Sequence, residues 1–171
     1  MGLFTNLYPK EYYNSTYEIN FEALYQAGYR GIIFDVDNTL VPHGAPADQR
    51  AMDFFNRLKV IGFKCVLLSN NDEERVKSFN DQVHVNYIYK ANKPSPKGYI
   101  KACRLMGIQR SKTLFVGDQI FTDVWGANRA GIHSIMVKYM NPKEEIQIIL
   151  KRKLEAIVLF FYNRNRKKLD N

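Results

Sequence analysis

The sequence predicts an α/β fold: a three-layer α/β/α sandwich around a central parallel sheet. Three observations predict it. Short apolar runs alternate with helical patterns five times over, the signature of strands joined by helical crossovers. The runs are nearly continuous in apolar residues, as strands covered on both faces must be. Carboxylates, a hydroxyl and an ammonium follow the runs, where open α/β sheets meet their ligands.

Ahead of the first run stand Phe4, Tyr8, Tyr12, Tyr13, Tyr17, Phe21, Tyr25 and Tyr29. Half-buried packing at the sheet edge is expected of these rings. Ile19, Phe21 and Leu24 begin a helix that stops at Gly28. Gly31 to Asp35 is the first strand, and Ala47 to Ile61 the next helix, with Met52, Phe55 and Leu58 on one face. Lys64 to Leu68 is the second strand, followed by a short polar helix, Asp72 to Asn80, capped by Asn71 or Asp72. Asn86 to Tyr89 is a weaker third strand, and Pro96 opens a helix that reaches Met106. Thr113 to Val116 is the fourth strand, Thr122 to Ala130 a helix, and Ile132 to Val137 the fifth strand. Pro142 to about Tyr162 reads as a long final helix with a basic tail. The expected organisation is a single domain, 1–171, with a core at about 29–140. An aromatic segment, 1–28, precedes the core, and the final helix and basic tail, 142–171, follow it.

Composition narrows the function. Over 171 residues the chain is 46% hydrophobic and 25% charged, which excludes disordered, collagen-like and disulfide-scaffold classes. Lys and Arg outnumber Asp and Glu by 25 to 17, so an anionic partner is expected: phosphate, nucleic acid or an acidic membrane surface. Cys65 and Cys103, like His43, His84 and His133, are scattered without zinc-type spacing, which fits a reducing compartment. The opening residues lack a signal-peptide apolar run, and Asn6 stands where myristoylation takes Ser or Thr. The longest apolar run, Ala156 to Tyr162, is too short to span a bilayer. A cytoplasmic protein is expected, with peripheral contact at the inner membrane face as a further possibility.

Chemistry gathers after the strands. The first run ends in Asp35-Val36-Asp37-Asn38-Thr39, the second in Ser69-Asn70-Asn71; the third leads to Lys93, and the fourth ends in Gly117-Asp118, with Asp123 beyond. Carboxylates held together repel, and a divalent cation relieves that repulsion; oxygen ligands alone suit Mg²⁺, which also accepts phosphate oxygens. A lysine and a serine beside the metal would bind the remaining phosphate oxygens. A carboxylate two residues past a nucleophilic carboxylate can protonate a leaving group. Phosphoryl transfer through an aspartyl-phosphate is the chemistry this set can perform.

FDVDNTLV resembles the first motif of the haloacid dehalogenase (HAD) superfamily, DxDx(T/V). LLSNN resembles the second, ANKPSPKGY the third and GDQIFTD the fourth, all in order. The resemblance implies a Rossmann-like core and assigns roles. Asp35 would be nucleophile and metal ligand, and Asp37 the general acid/base with its carbonyl on the metal. Asp118 would bind Mg²⁺, and Asp123 would bind it through water or orient the lysine. Thr39 would help hold the first-motif loop, and with Asn38, Ser69, Asn70 and Lys93 it makes up the expected phosphate-binding set. Aspartate at position 37 favours phosphatase over dehalogenase. Only 33 residues lie between Asp35 and Ser69 and 23 between Ser69 and Lys93, which leaves no room for the family's cap domains. The chain therefore resembles capless, class IIIA members. Leu7-Tyr8-Pro9, Asn38, Asn70 and Asn128 add a resemblance to the YqeG-type family, related to phosphatidylglycerophosphate phosphatase.

Other readings stand beside these. Lys97 is a rival for Lys93, although the Lys-Pro context favours Lys93. His43 reads as a solvated loop residue near the site. In the final helix Ile146, Leu150, Leu154, Ile157 and Phe161 fall at helical spacing and are expected to pack on the body, while Ile148, Val158, Leu159 and Phe160 spill beyond that face. Residues 143–171 hold eight Lys/Arg against four Asp/Glu. A docked helix with a frayed, solvated tail is expected, the alternative being contact with an anionic surface. The expected substrate is a phosphomonoester, either a lipid such as phosphatidylglycerophosphate or a small soluble phosphate such as a sugar phosphate or phosphoglycolate. An RNA- or ribosome-associated factor with vestigial chemistry is the rival class, and nucleic acid is not the expected partner.

Overall fold

In a computed structural model, the structure describes residues 5–140 and 146–169. Six parallel strands form one sheet in the order β1-β6-β5-β2-β3-β4. They are β1 (Glu11–Tyr13), β2 (Gly31–Phe34), β3 (Lys64–Leu68), β4 (Asn86–Ile88), β5 (Thr113–Gly117) and β6 (His133–Val137). Helices α1 (Phe21–Gln26), α2 (Gln49–Ile61), α3 (Glu73–Val83), α4 (Pro96–Met106), α5 (Trp125–Ala130) and α6 (Ile146–Leu169) complete the described elements, with several short turns of 3₁₀-helix.

The five expected strands form, with β2 at the centre between β3 and β5. Residues Ile32, Phe34, Leu67, Leu114 and Val116 pack into one core, with Phe54, Phe55 and Leu58 of α2. Ile33, Val66, Leu68 and Phe115 point to the other face, where Tyr99, Ala102 and Ala127 meet them. Strands buried on both faces give the continuous apolar runs of the sequence.

Four local features differ from expectation. A sixth strand, β1, lies inside the aromatic segment and pairs with β6, Glu11 beside Ile135 and Tyr13 beside Val137. Three residues at a sheet edge, with no alternation, leave no readable period. Helix α3 runs on to Val83 and closes at His84, whose φ of 54° supplies the left-handed turn usually left to glycine. The helix expected from Thr122 is a single π-helical turn, Ile120–Val124, continued by α5. Helix α6 continues to Leu169, through much of the stretch expected to fray; Pro142, its expected start, falls outside the described residues.

The packed face of α6 also differs from expectation, although Phe160 is 61% exposed, as expected. Leu154, Ile157 and Phe161 are 52%, 56% and 46% exposed, whereas Glu155 and Val158 are buried. Val158 packs with Ile120, Val124 and Met136, and Tyr162 lies against Tyr8, ring centroids 5.7 Å apart. Side chains of Ile146, Ile148 and Leu150 are outside the described set. Hydropathy ranks a buried ion pair as polar surface, and Glu155 with Arg152 forms one here, at 3.2 Å.

The aromatic segment is more than edge packing. Phe21 is 1% exposed and its ring meets Phe34, Phe54 and Phe63 at 5.5–6.3 Å. The Thr16 hydroxyl donates to the Thr39 carbonyl, and the Tyr17 hydroxyl to the Leu40 carbonyl, both at 2.7 Å. Truncating Phe21 to Ala should cost about 3–5 kcal/mol, as for other buried aromatic rings. Equilibrium urea unfolding measures it, and a loss under 1 kcal/mol would show that the segment is not part of the cooperative core.

Candidate active site

The carboxyl ends of β2, β3 and β5 deliver the candidate residues to one edge. Past β2 the chain turns through Asp35 to Val41, with Val36, Leu40 and Val41 buried beneath. Asn38 adopts a φ of 62° and its amide donates to the Val41 carbonyl at 2.8 Å. Asparagine tolerates this left-handed conformation better than most residues. The turn brings both Asp35 and Asp37 to one cleft.

A buried cation sits at the centre. The Lys93 ammonium donates to Asp35 Oδ1 at 2.6 Å and to Asp123 Oδ1 at 2.7 Å. Burial alone would lower the Lys93 pKa, but Asp123 and Asp35 push it well up, so it stays charged. Burial, with repulsion from Asp123 and Asp37, pushes Asp35 up to about 6 against the pull of Lys93. Burial and the charges of Asp35 and Asp123 likewise raise Asp118 well above the ordinary carboxylate range, with Arg152 opposing. Lys97, by contrast, is exposed in the first turn of α4.

Asp123 spends its other oxygen on the chain. Oδ2 accepts from the amides of Asp118 at 3.1 Å and Gln119 at 3.0 Å. The π-helical turn places it there, and a Cβ on Gly117 would lie 2.6 Å from its Cγ, so the close approach requires glycine. The Thr39 hydroxyl lies between two carboxylates, 3.3 Å from Asp35 Oδ2 and 3.2 Å from Asp118 Oδ1.

Ser69 is buried on the same cleft, and its Oγ accepts from the Asn71 amide at 3.1 Å. Asn70, expected in the phosphate-binding set, uses its side chain on the Lys93 backbone: Oδ1 accepts from N at 2.7 Å and Nδ2 donates to O at 3.1 Å. It thus fixes the loop that carries the lysine.

Asp37 stands apart from Lys93, in its own cage. Oδ1 accepts from the Gly44 amide at 2.7 Å and from Arg75 Nη2 at 2.9 Å, and Oδ2 from Asn71 Nδ2 at 2.7 Å. His43 Nδ1 lies 3.8 Å away with its side chain half exposed. Sequence reasoning missed Arg75 and offered Asn71 or Asp72 as the helix cap; Asp72 is the cap, accepting from the Arg75 amide at 3.0 Å, and Asn71 serves Asp37 instead. Two residues of α6 were missed as well. Lys151 lines the cleft with Asp35, Asp37 and Ser69, and Arg152 pairs with Asp118. Nothing in local sequence connects a late helix to the fourth motif.

A cation fits this donor set. Oxygens of Asp35, Asp118 and Asp123 lie within 4.8 Å of one another, and all three residues are buried. Both oxygens of Asp123 and one each of Asp35 and Asp118 accept from lysine, arginine or amide donors. The remaining pair, Asp35 Oδ2 and Asp118 Oδ1, share the Thr39 hydroxyl and could ligate a hard, oxygen-liganded ion.

Comparison with known proteins identifies the family. The model of the haloacid dehalogenase-like hydrolases matches residues 46–131. A probable phosphatase of Bacillus subtilis, YqeG, is 36% identical over 152 residues, 88% of either chain. The chain belongs to the haloacid dehalogenase-like hydrolases. A second relative, the chloroplastic/mitochondrial phosphatidylglycerophosphate phosphatase 1 of Arabidopsis thaliana, is 26% identical over 82% of this chain and 44% of its own length. A solved structure from Listeria monocytogenes superposes with a TM-score of 0.53 at 23% identity, over 68% of this chain and 85% of that one, a likeness of fold. Within the family this hydrolase is a phosphatase, acting on phosphoric monoesters. No described helix is long and apolar enough to cross a membrane. Two intervals house cap domains elsewhere in the family. Here the first holds α2 and β3, and the second only α3 and β4.

Replacing Lys93 by Met should destabilise the metal-free protein by about 3–5 kcal/mol near pH 7.5, since its carboxylate partners stay buried. The sign with pH follows from Asp35. Its folded pKa of about 6 exceeds the unfolded value of about 3.9, so the folded state gains protons first and is strengthened as pH falls through that window. Without the ammonium this gain grows. The variant's deficit should shrink between pH 7.5 and 5 in urea titrations with EDTA; a deficit that widens would contradict the coupling.

Proposed function

We propose that this phosphatase hydrolyses a phosphomonoester through an aspartyl-phosphate on Asp35, and that its substrate is the phosphorylated head group of an anionic lipid. The observation that carries the mechanism is the buried cluster of Asp35, Lys93, Asp118 and Asp123 at the sheet edge. Asp35 attacks phosphorus as the ester oxygen leaves, Lys93 neutralises and Ser69 hydrogen-bonds the equatorial oxygens, and Asp37 gives a proton to the leaving oxygen and then takes one from the water that displaces phosphate from Asp35. Arg75, Asn71 and the Gly44 amide hold Asp37 clear of Lys93, so the two aspartates work in different surroundings. In this reading Mg²⁺ would be held by Asp35 and Asp118 and would supply charge neutralisation on the phosphoryl oxygens. Asp123 positions Lys93 and the Asp118 turn.

Three observations support the lipid reading. The first is the sequence relation to a phosphatidylglycerophosphate phosphatase. The second is Lys151, a cation on the cleft wall suited to a second anionic group such as a phosphodiester. The third is α6, whose outward face carries Leu154, Ile157, Phe160 and Phe161, 46–61% exposed, with Lys153 and Arg164 exposed on the same helix. An apolar stripe with flanking cations is what an interfacial helix requires, and each cation near an anionic surface contributes about 1 kcal/mol.

Asp35→Asn, or excess EDTA, should abolish turnover of both p-nitrophenyl phosphate and micellar phosphatidylglycerophosphate. Lys93→Ala should lose on the order of a hundredfold, about 3 kcal/mol, with Lys97→Ala close to wild type. Persistent turnover in Asp35→Asn would refute the nucleophile, and equal lysine variants the phosphate contact.

For the lipid reading, the chain should co-sediment with phosphatidylglycerol vesicles at low salt and be released at high salt. Phe160→Ser/Phe161→Ser should weaken this several-fold while sparing hydrolysis of the soluble ester. Binding no better than to phosphatidylcholine, with no preference for the lipid over a small phosphate, would leave the soluble-phosphate alternative.

A further inference from the structure

The contact between α6 and Asp118 has no counterpart in the four sequence motifs. Arg152 Nη2 donates to Asp118 Oδ2, and Nη1 donates to the Asp118 carbonyl at 2.7 Å. The side chains are 12% and 0% exposed respectively. Arg152 is itself held from two sides. Its Nη1 lies 3.2 Å from Glu155 Oε2, and its guanidinium stacks 4.5 Å above the Tyr139 ring. Glu155 is tied to the π-helical turn, its Oε1 accepting from the Ile120 amide at 2.8 Å. The guanidinium fork thus grips one residue at two points, backbone and carboxylate, a geometry that a lysine point charge cannot reproduce.

The consequence lies in which oxygen is left. With Oδ2 held by Arg152, Asp118 presents Oδ1 toward Asp35 Oδ2, across the Thr39 hydroxyl. We propose that Arg152 is a positioning residue for the cation site, and that α6, which lies beyond the residues matched by the family model, is an integral part of that site. Partners that orient a metal ligand set its affinity as well as its geometry, and losing one costs 10–100-fold. This inference rests on Asp35 and Asp118 being the cation ligands, and the experiment separates the two claims.

The test is Mg²⁺ affinity of the full chain by isothermal titration calorimetry, with Mn²⁺ binding followed by electron paramagnetic resonance. Arg152→Ala should bind either ion about 10–100-fold more weakly than wild type. Arg152→Lys, which keeps the charge and loses the two-point grip, should fall between. Methylguanidinium added to Arg152→Ala should restore affinity, which a variant with a generally disrupted fold would not show. Unchanged affinity in Arg152→Ala overturns the inference. Tighter binding overturns it too, because the guanidinium would then be competing with the ion. A wild-type chain that binds neither ion overturns the cation site itself, and this inference with it.

Discussion

The active-site edge depends on one buried ammonium. Lys93 is the cation that reaches both Asp35 and Asp123, and it does so from a loop pinned by Asn70 at both backbone atoms of the same residue. Charged groups removed from water are tolerated only when paired and hydrogen-bonded. Lys93 therefore lets Asp35 and Asp123 converge, Arg152 does the same for Asp118, and Asp123 turns that convergence into structure by also receiving two backbone amides. The raised Asp35 shows how close the balance is: burial is only partly offset, which leaves an anion that gains by further positive charge.

The segment before the first central strand acts on the same edge. Thr16 and Tyr17 cap the carbonyls of Thr39 and Leu40, which follow the two aspartates in the turn. Phe21 anchors that segment among the rings of Phe34, Phe54 and Phe63. The loop carrying Asp35 and Asp37 is thereby fixed by side chains rather than by length.

Much of the fold and the site was legible because the physics is local. Strand runs end where buried β-structure meets polar chemistry, and the order Asp35, Ser69, Lys93, Asp118 follows from successive strand ends. Lys93 could be chosen over Lys97 because proline after the first breaks the chain into a loop, whereas the second begins a helix. What escaped depends on pairing across the chain. Glu11–Tyr13 is a strand only because β6 lies beside it. Asn71 and Arg75 resemble a cap and a surface cation until Asp37 is seen between them. The final helix has apolar residues on more than one side, and the choice of face is settled by Arg152 and Glu155, a pair that hydropathy assigns to solvent.

The position of Arg152 also bears on how the molecule comes into being. Ribosomal synthesis delivers the chain from its amino end, and structure forms as units emerge. The sheet from β2 to β6 can be complete while the stretch bearing Arg152 is still within the exit tunnel. At that stage Asp118 lacks its guanidinium, and the acidic residues rely on Lys93. The final helix then arrives as a keystone, and the proposed ion-binding geometry is finished only when it docks.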